Sequence, residues 1–404
     1  ERNPLGGLTT YAYTSNGLLQ SVTNSDGFFQ SYGYDSAFRL TSITNADGTT
    51  QRYAYDKMDR LTATVNELNQ TNSITYDANG RLVAVTDPLG HSITYERDLM
   101  NRVTGIVNRA GGRTASTFNN RGNLATRLDP DGLLYTYSYD LHGRMTNVAS
   151  AGASQSLAYN AEGVPEAVET AAGLDILYSA DALGRFTSIS NSHGAAVHFE
   201  RDSEGRVIAR TDPLSRRTTY AYDPEGRIAA ITNPAGHSAT YAYDDAGNLA
   251  SIRGLGSHLW TFSNSPHGLL LATTDPLGQT TRRAYDARGQ LVAITNADAT
   301  TETRFYDPAG NLTNVHYSSF VIDHLAFSYD PAGRLTDADG VHFDYDPSGN
   351  ITNTVQASFF SSATYDTAMR LTHAGYANNA FAVEYTYDPT NARLASVRDT
   401  LTGH

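Results

Sequence analysis

The chain has 404 residues, 29 basic against 42 acidic side chains, and no cysteine. Its formal net charge of −13 argues against nucleic-acid binding, which needs a basic face, and against an anionic membrane surface. The absence of cysteine excludes disulfides and thiolate metal sites. No stretch approaches the roughly 18 apolar residues of a membrane helix, so we expect no membrane insertion.

The residue composition is that of a β-protein. The chain contains 34 Gly and 26 Tyr but only 4 Met and 1 Trp. Thr, Tyr and Val favour strands, whereas Gly, Asn, Asp and Pro favour turns. We therefore predict an all-β fold rather than the two or three compact domains that a chain of this length could form.

One motif recurs along the chain: a pair, usually Tyr-Asp, then Gly three residues after the Asp, then Arg or Asn, then an aliphatic residue. At a spacing of 21 residues (20 once), the Asp position is filled by Thr14, Asp35, Asp56, Asp77, Asp98, Asn119, Asp140, Asn160, Asp181, Asp202, Asp223, Asp244, Ser265, Asp286 and Asp307. It continues irregularly at Asp330, Asp346, Asp366 and Asp388. This spacing predicts a regular array over 1–314 and a less regular continuation over 315–404.

The nineteen copies leave no room for a separate globular domain. The clearest copies define the structural repeat motif: Tyr76, Asp77, Gly80 and Arg81; Tyr222, Asp223, Gly226 and Arg227; Tyr243, Asp244 and Gly247; Tyr306, Asp307 and Gly310. Because Glu1 already lies inside the pattern, we interpret the chain as a fragment or a processed product.

A second turn lies about ten residues after each first turn, as in Asp-Pro-Leu-Gly at 87–90 and Asn-Pro-Ala-Gly at 233–236. Two tight turns per 21 residues leave two strands of about six, and strands joined by tight turns are antiparallel. Tyr241 and Tyr243 then share one face of their strand. We predict tandem antiparallel β-hairpin repeats that form one continuous, curved or spiralling sheet. No second apolar layer is visible, so the sheet must curl on itself or pack on another part of the protein.

Tyr-Asp-x-x-Gly-Arg-Leu with a 21-residue period resembles the YD/Rhs repeat family, which includes bacterial Rhs proteins, shell subunits of insecticidal toxin complexes, and teneurins. The resemblance covers essentially the whole chain. It implies a hollow β-shell that encloses a toxin or an internal segment. The departures are local: Arg97, Phe118, Ala180, Arg201 and Asn264 replace the Tyr, and Phe38, Asp59, Asn101, Met369 and Asn391 replace the Gly.

The charged positions of the motif have a structural and a functional interpretation. The aspartates could form a metal ladder, but carboxylates on every second strand do not converge on one ion, so we expect them to cap their turns. The arginines could form a binding stripe, but we expect them to pair with neighbouring aspartates. We predict no cofactor and no metal.

Asp-Pro-Asp-Gly-Leu at 129–133 resembles the motif that supports autoproteolysis in Rhs proteins. Its register is that of an ordinary second turn, and repeats resume at once with Tyr139 and Asp140, so we reject a catalytic role. The histidines, among them His193 and His198, show no metal-ligand spacing. An enzyme is therefore the third hypothesis only.

Two other hypotheses remain open. The first is a structural segment of an extracellular β-shell that encapsulates a toxin or internal segment. The alternative is a surface-exposed, self-associating or glycan-binding adhesive protein. The expected partners are further repeats of the same protein or other copies of it, with an encapsulated polypeptide or a surface glycan. Both hypotheses place the protein outside the cell or on its surface, with a bacterial source favoured.

The ends and the irregular part carry further predictions. The strands near 8–11 and 393–397 show no visible edge protection, so we expect continuation into further repeats or end-to-end stacking of copies. The altered spacing after Asp307 predicts a changed loop length or a changed sheet curvature between Asn314 and His342. The segment 318–322 should then form a longer strand or a departing loop.

Overall fold

The computed structural model describes residues 1–400 except 174, 255, 257, 319–322, 358 and 377–379. The described residues form 38 strands and no α-helix. They therefore contain no helix long and apolar enough to cross a membrane. The strands are β1 (Thr9–Tyr13), β2 (Leu19–Asn24), β3 (Phe29–Tyr34), β4 (Leu40–Asn45), β5 (Thr50–Tyr55), β6 (Leu61–Val65), β7 (Thr71–Tyr76), β8 (Leu82–Thr86), β9 (Ser92–Arg97), β10 (Val103–Val107), β11 (Arg113–Phe118), β12 (Leu124–Leu128), β13 (Leu134–Tyr139), β14 (Met145–Ser150), β15 (Ala153–Tyr159), β16 (Pro165–Thr170), β17 (Ile176–Ala180), β18 (Phe186–Asn191), β19 (Ala196–Arg201), β20 (Val207–Thr211), β21 (Arg217–Tyr222), β22 (Ile228–Thr232), β23 (Ser238–Tyr243), β24 (Leu249–Arg253), β25 (Leu259–Asn264), β26 (Leu270–Thr274), β27 (Thr280–Tyr285), β28 (Leu291–Thr295), β29 (Thr301–Tyr306), β30 (Leu312–Tyr317), β31 (His324–Tyr329), β32 (Leu335–Ala338), β33 (Val341–Tyr345), β34 (Ile351–Gln356), β35 (Phe359–Tyr365), β36 (Leu371–Tyr376), β37 (Phe381–Tyr387) and β38 (Leu394–Asp399).

Each strand pairs antiparallel with its neighbours along the chain, and the result is one open sheet. Strands end at the Tyr-Asp pair and begin again just after the Gly-Arg pair, as between β7 and β8. The predicted all-β meander of hairpins is therefore confirmed. The division of the array at residue 314 stays a prediction.

The first turn of each repeat, which we call the YD turn, ends in a β-bulge. In the turn between β23 and β24, Gly247 donates its N–H to the Asp244 carbonyl and has a φ of 89°. The register then slips by one residue at Tyr243, which pairs with Leu249. A tight turn followed by a left-handed residue and a bulge suits glycine, because glycine has no Cβ to clash at positive φ.

The sheet is a single layer without a hydrophobic core. Its accessible surface is 23092 Å², whereas a compact protein of 43.7 kDa exposes about 15,000 Å². Among the described residues, the buried apolar side chains are only Ala209, Val315, Ala374 and Ala382. The described part of the sheet therefore does not pack on a second apolar layer.

The irregular end contains a shortened hairpin and a lengthened turn. β32 and β33 are joined by two residues, Asp339 and Gly340, both at positive φ, as β14 and β15 are joined by Ala151 and Gly152 within the regular array. In the last YD turn, Ala392 rather than Asn391 has positive φ, because one extra residue is inserted before Arg393. The assignment of Asn391 to the glycine position was therefore wrong. Residues 319–322 of the segment 318–322 lie outside the described residues.

The first strand is partly covered by the residues that precede it. Thr9 donates its N–H to the Glu1 carbonyl at 2.8 Å, and Arg2 bridges to Leu8 in antiparallel fashion. The expectation of an unprotected edge at residues 8–11 was wrong for this part of the strand, because the chain turns back along it. No strand pairs with the outer edge of β38 among the described residues.

The ribbon of hairpins winds on itself, so that turns about 240 residues apart touch. Ser265 hydrogen-bonds Asp26, 239 residues earlier, and Arg288 reaches Asp47, 241 residues earlier. Twenty-three strands, β3 to β25, lie between the turn of Asp26 and the turn of Ser265. At about 4.8 Å per strand they give a contour of about 110 Å, and a ring of that contour is about 35 Å across. We call the contact between windings the seam.

Candidate structural site: the repeat turn and the seam

The aspartate of each Tyr-Asp pair caps its own turn. Asp77 Oδ1 accepts the N–H groups of Asn79 and Arg81, both at 2.9 Å, while Gly80 has a φ of 81°. The same cap, with the N–H four residues on as donor and a glycine at positive φ, is formed by Asp223 with Gly226, Asp244 with Gly247, and Asp307 with Gly310. In the described residues, no three metal-ligating side chains converge. The carboxylates therefore serve the turn.

The arginine after the glycine pairs with the aspartate of its own turn. Arg227 Nε lies 2.7 Å from Asp223 Oδ2, and Arg81 Nε lies 2.5 Å from Asp77 Oδ2. The backbone N–H of Arg81 and, against the opposing effect of burial, its guanidinium hold the pKa of the Asp77 carboxyl below its ordinary value. The expected pairing with aspartates is confirmed, and the partner is the aspartate of the same turn because the turn brings residues four apart together. Arg39 also reaches Asp59 of the next repeat, at 2.7 Å.

The same guanidinium reaches the next repeat, where it stacks on the tyrosine ring. The Arg227 guanidinium carbon lies 4.4 Å from the centroid of the Tyr243 ring, and Arg60 lies 4.6 Å from that of Tyr76. The arrangement recurs in Arg39–Tyr55, Arg144–Tyr159, Arg206–Tyr222, Arg334–Tyr345 and Arg370–Tyr387. A cation over an aromatic face is attracted by the ring quadrupole.

Each tyrosine then ties its ring to the repeat before it. The Tyr243 hydroxyl donates to the Ile228 carbonyl at 2.9 Å, fifteen residues earlier. The same bond joins Tyr76 to Leu61, Tyr222 to Val207, and Tyr306 to Leu291. Aspartate, arginine, the next tyrosine and the carbonyl thus form one chain of contacts between adjacent repeats.

The substituted copies keep part of this chemistry. Where Asn264 replaces the Tyr, its amide donates to the Leu249 carbonyl at 2.9 Å, and Arg201 donates to the Phe186 carbonyl at 3.3 Å. Phe118 has no hydroxyl but still receives a guanidinium, from Arg102, at 4.8 Å. Positive φ is retained where the Gly is replaced by Phe38, Asp59, Asn101 and Met369. The replacements therefore preserve the turn.

The segment 129–133 forms an ordinary second turn. Gly132 donates its N–H to the Asp129 carbonyl at 2.9 Å, and Asp131 accepts the N–H of Leu133 at 3.0 Å. His193 lies in a similar turn and His198 within β19. These residues therefore occupy ordinary turn and strand positions of the repeat.

The seam brings second turns of one winding against YD turns of the next. The Asn108 side chain donates to the Thr367 carbonyl at 3.0 Å, and Asn3 donates to the Pro266 carbonyl. The approach is close at Gly112, where an added Cβ would lie 2.0 Å from the Thr367 carbonyl oxygen. The windings are therefore in direct backbone contact.

Charged side chains cross the seam. Arg288 lies 3.3 Å from Asp47 and 3.1 Å from Glu67, whose side chain is only 3% exposed. His267 lies 3.2 Å from Asp26. Burial acts to raise the pKa of the Asp47 carboxyl, but hydrogen bonds from Thr49 and the charge of Arg288 lower it overall. The buried Glu67 carboxylate needs a partner such as Arg288, because an unpaired buried charge is costly.

Sequence reasoning missed these seam residues. The one available signal is that Glu67 stands where many second turns carry proline, as in Asp-Pro-Leu-Gly at 87–90.

A comparison with protein-family models identifies the family of this chain. The teneurin YD-shell model matches residues 4–173 and 271–402, about three quarters of the chain. The chain belongs to the teneurin YD-shell family. The RHS repeat model matches the overlapping segments 201–238 and 222–257 of this YD-shell chain. The curated proteins contain no match to it. The predicted membership of the YD/Rhs repeat family is confirmed.

Solved structures share the fold of this YD-shell chain. The crystal structure of TcdB2-TccC3 without its hypervariable C-terminal region has a TM-score of 0.72 at 14% identity, over 96% of this chain and 24% of that one. TcdB2-TccC3-TEV gives 0.58 at 14%, over 98% and 24%. The Photorhabdus luminescens Tc holotoxin pore gives 0.52 at 16%, over 96% and 22%. The YD-shell chain thus spans about a quarter of these chains.

Proposed function

We propose that the chain is a structural segment of an extracellular β-shell that encloses a polypeptide. The observation that carries the proposal is the seam: it joins the edges of successive windings, so a single-layer sheet surrounds a space instead of packing on a core. Membership of the YD-shell family supports a structural, non-enzymatic role. The likeness to Tc toxin structures supports a secreted location and an enclosed toxin or internal segment as the partner.

The winding sets the size of this space. A backbone ring about 35 Å across, with side chains projecting about 5 Å inward on each side, leaves a bore of about 25 Å. A folded domain of 100 residues has a radius of gyration of about 13 Å and a diameter above 30 Å. The bore therefore suits an extended or helical polypeptide better than a folded domain.

Cysteine labelling tests the enclosure, since the natural chain has no cysteine. Asn72 and Thr75 are exposed, lie in the same strand β7, and point to opposite faces because they are three residues apart. We expect Asn72→Cys and Thr75→Cys to react alike with a small maleimide. A bulky polymer-linked maleimide should label only one of them. If both react equally with the bulky reagent, the sheet does not enclose a protected space.

The alternative, a surface protein that binds glycans, has one observation in its favour. A depression of about 820 Å³ is lined by Trp260, with Asp275, Gln279, Arg283 and Asn296 around it. An exposed aromatic ring among planar polar side chains suits the apolar face and the hydroxyls of a sugar. Trp260→Ala should abolish binding on a glycan array if this function is correct. Absence of binding by the natural chain would reject it.

A further inference from the structure

The winding leaves two rims outside the seam. We call the YD turns at 35–38, 56–59, 98–101 and 119–122 the free YD rim. We call the second turns at 212–215, 233–236, 275–278 and 296–299 the free second rim. In the described part of the chain, these turns make no hydrogen bond or ion pair with another winding, whereas their counterparts in the seam do.

The free second rim carries an open counterpart of a cavity found at the seam. At the seam, a cavity of about 570 Å³ is lined by Asn66, Gln70 and Asp87 on one side and by YD turns of the next winding on the other. The same repeat positions, each 209 residues later, are Asp275, Gln279 and Asn296, and they line the open depression of about 820 Å³. The open depression is therefore the seam cavity without its second wall.

Apolar side chains mark both free rims. Leu277 is 83% exposed, whereas its counterpart Leu68, in the second turn that follows β6 and faces the seam, is half-buried. Leu214 is 72% exposed on the free second rim. On the free YD rim, Leu99, at 103%, and Met100, at 77%, are exposed. Burying these side chains against another surface would remove apolar area from water, which is favourable.

One register matches both rims. When the turn of Leu277 is placed against the turn of Met100, with turns following one another in the direction seen at the seam, Asp298 falls opposite Arg121. These two hold the third positions of their turns, as Asp47 and Arg288 do where they pair across the seam. In the same register Leu214 falls opposite Ala37, whose chain neighbour Phe38 is 57% exposed. Shifting by one repeat in either direction places Leu277 opposite Arg121 or Asn79.

We propose that the free second rim binds the free YD rim of a second copy of this chain. The contact continues the geometry of the seam from one molecule to the next. Because the two rims differ, the association is head-to-tail and does not close, so it adds copies along one axis. The contact is independent of whether the bore holds a polypeptide.

Sedimentation velocity of the full chain, up to about 100 µM, tests the proposal, since this range reveals micromolar contacts. We expect concentration-dependent association that Asp298→Arg and Arg121→Asp each weaken at least tenfold. The double variant should regain it, because the pair is restored with reversed charges. Leu277→Ser should weaken association without changing any charge. Glu166→Arg, an exposed strand position away from the rims, is the matched control.

Three results would overturn the proposal. The first is a chain that stays monomeric over this range. The second is association that persists unchanged in Asp298→Arg and Leu277→Ser, which would point to the edge strands instead. The third is equal weakening by Glu166→Arg. Circular dichroism of each variant must match the natural chain, because Asp298 also accepts hydrogen bonds from Thr300 within its own turn.

Discussion

Gly112 is the position where the seam tolerates least change. A Cβ at this residue would lie 2.0 Å from the Thr367 carbonyl oxygen, in the next winding. Real Cβ atoms do not approach backbone oxygens this closely, and a backbone group cannot rotate away as a side chain can. Gly112→Ala should therefore push the turn of Asn108 away from the turn of Thr367 and break the 3.0 Å hydrogen bond between them.

The expected cost combines two effects. Overpacking a closely fitted contact costs about 1–3 kcal/mol, and losing one hydrogen bond adds about 0.5–1.5 kcal/mol. Reduced freedom of the unfolded chain returns about 0.4–1 kcal/mol, as for any glycine-to-alanine change. We therefore expect a loss of about 0.5–4 kcal/mol, confined to the seam around Gly112 and Thr367.

Hydrogen exchange measures where this loss falls. Amides at 108–112 and 366–370 should exchange faster in Gly112→Ala, while those of β20 to β23, in the array between the two turns, should be unchanged. Gly254→Ala is the matched control, because among the described residues a Cβ there would meet only the His258 carbonyl oxygen, at 4.0 Å. If the two variants show the same exchange at 366–370, the windings are not in contact at Gly112 and the seam is misplaced.

Three further predictions concern the tyrosine contacts between adjacent repeats, the charged residues of the seam, and the dependence of stability on pH. Tyr243→Phe should lower the free energy of unfolding by about 0.5–1.5 kcal/mol in urea denaturation, through loss of the bond to Ile228; an unchanged value would show that the hydroxyl is dispensable. Arg288→Gln leaves Glu67 buried without its cation, so hydrogen exchange should increase at 66–70; protection equal to that of the natural chain would contradict this. Arginine partners lower the pKa of aspartates such as Asp35 and Asp56, so their stabilisation is complete above about pH 4 and is lost below it; thermal unfolding insensitive to pH between about 2 and 5 would refute this.

The repeat turn could be predicted from the sequence because its causes are local. Asp77 and Gly80 are three residues apart, and the cap and the positive φ that they supply are formed within that distance. The strand pairing follows from the two tight turns in every repeat. The partner of Arg227 could not be identified from its spacing alone, since it pairs with Asp223 of its own turn and the Tyr243 ring lies within its reach as well.

The seam could not be predicted, because it depends on curvature accumulated over many strands. If twenty-three strands, such as β3 to β25, complete one winding, each turns the ribbon by about 16°. An error of about 1° per strand moves the meeting point by about 7 Å along the rim, which is more than one strand spacing. Neither the 21-residue period nor any propensity fixes an angle this accurately. The pairing of Arg288 with Glu67 therefore needed the structure.

The seam also changes how stability is distributed along the array. In a linear repeat protein each unit contacts only its neighbours, so stability is a sum of local terms and a ribbon can open at any weak hairpin. Contacts such as Ser265 with Asp26 join residues 239 positions apart, so opening one hairpin also releases turns in another winding. A single-layer sheet with almost no buried apolar residue gains cooperativity in this way. The winding therefore adds long-range contacts to the local ones that join neighbouring repeats.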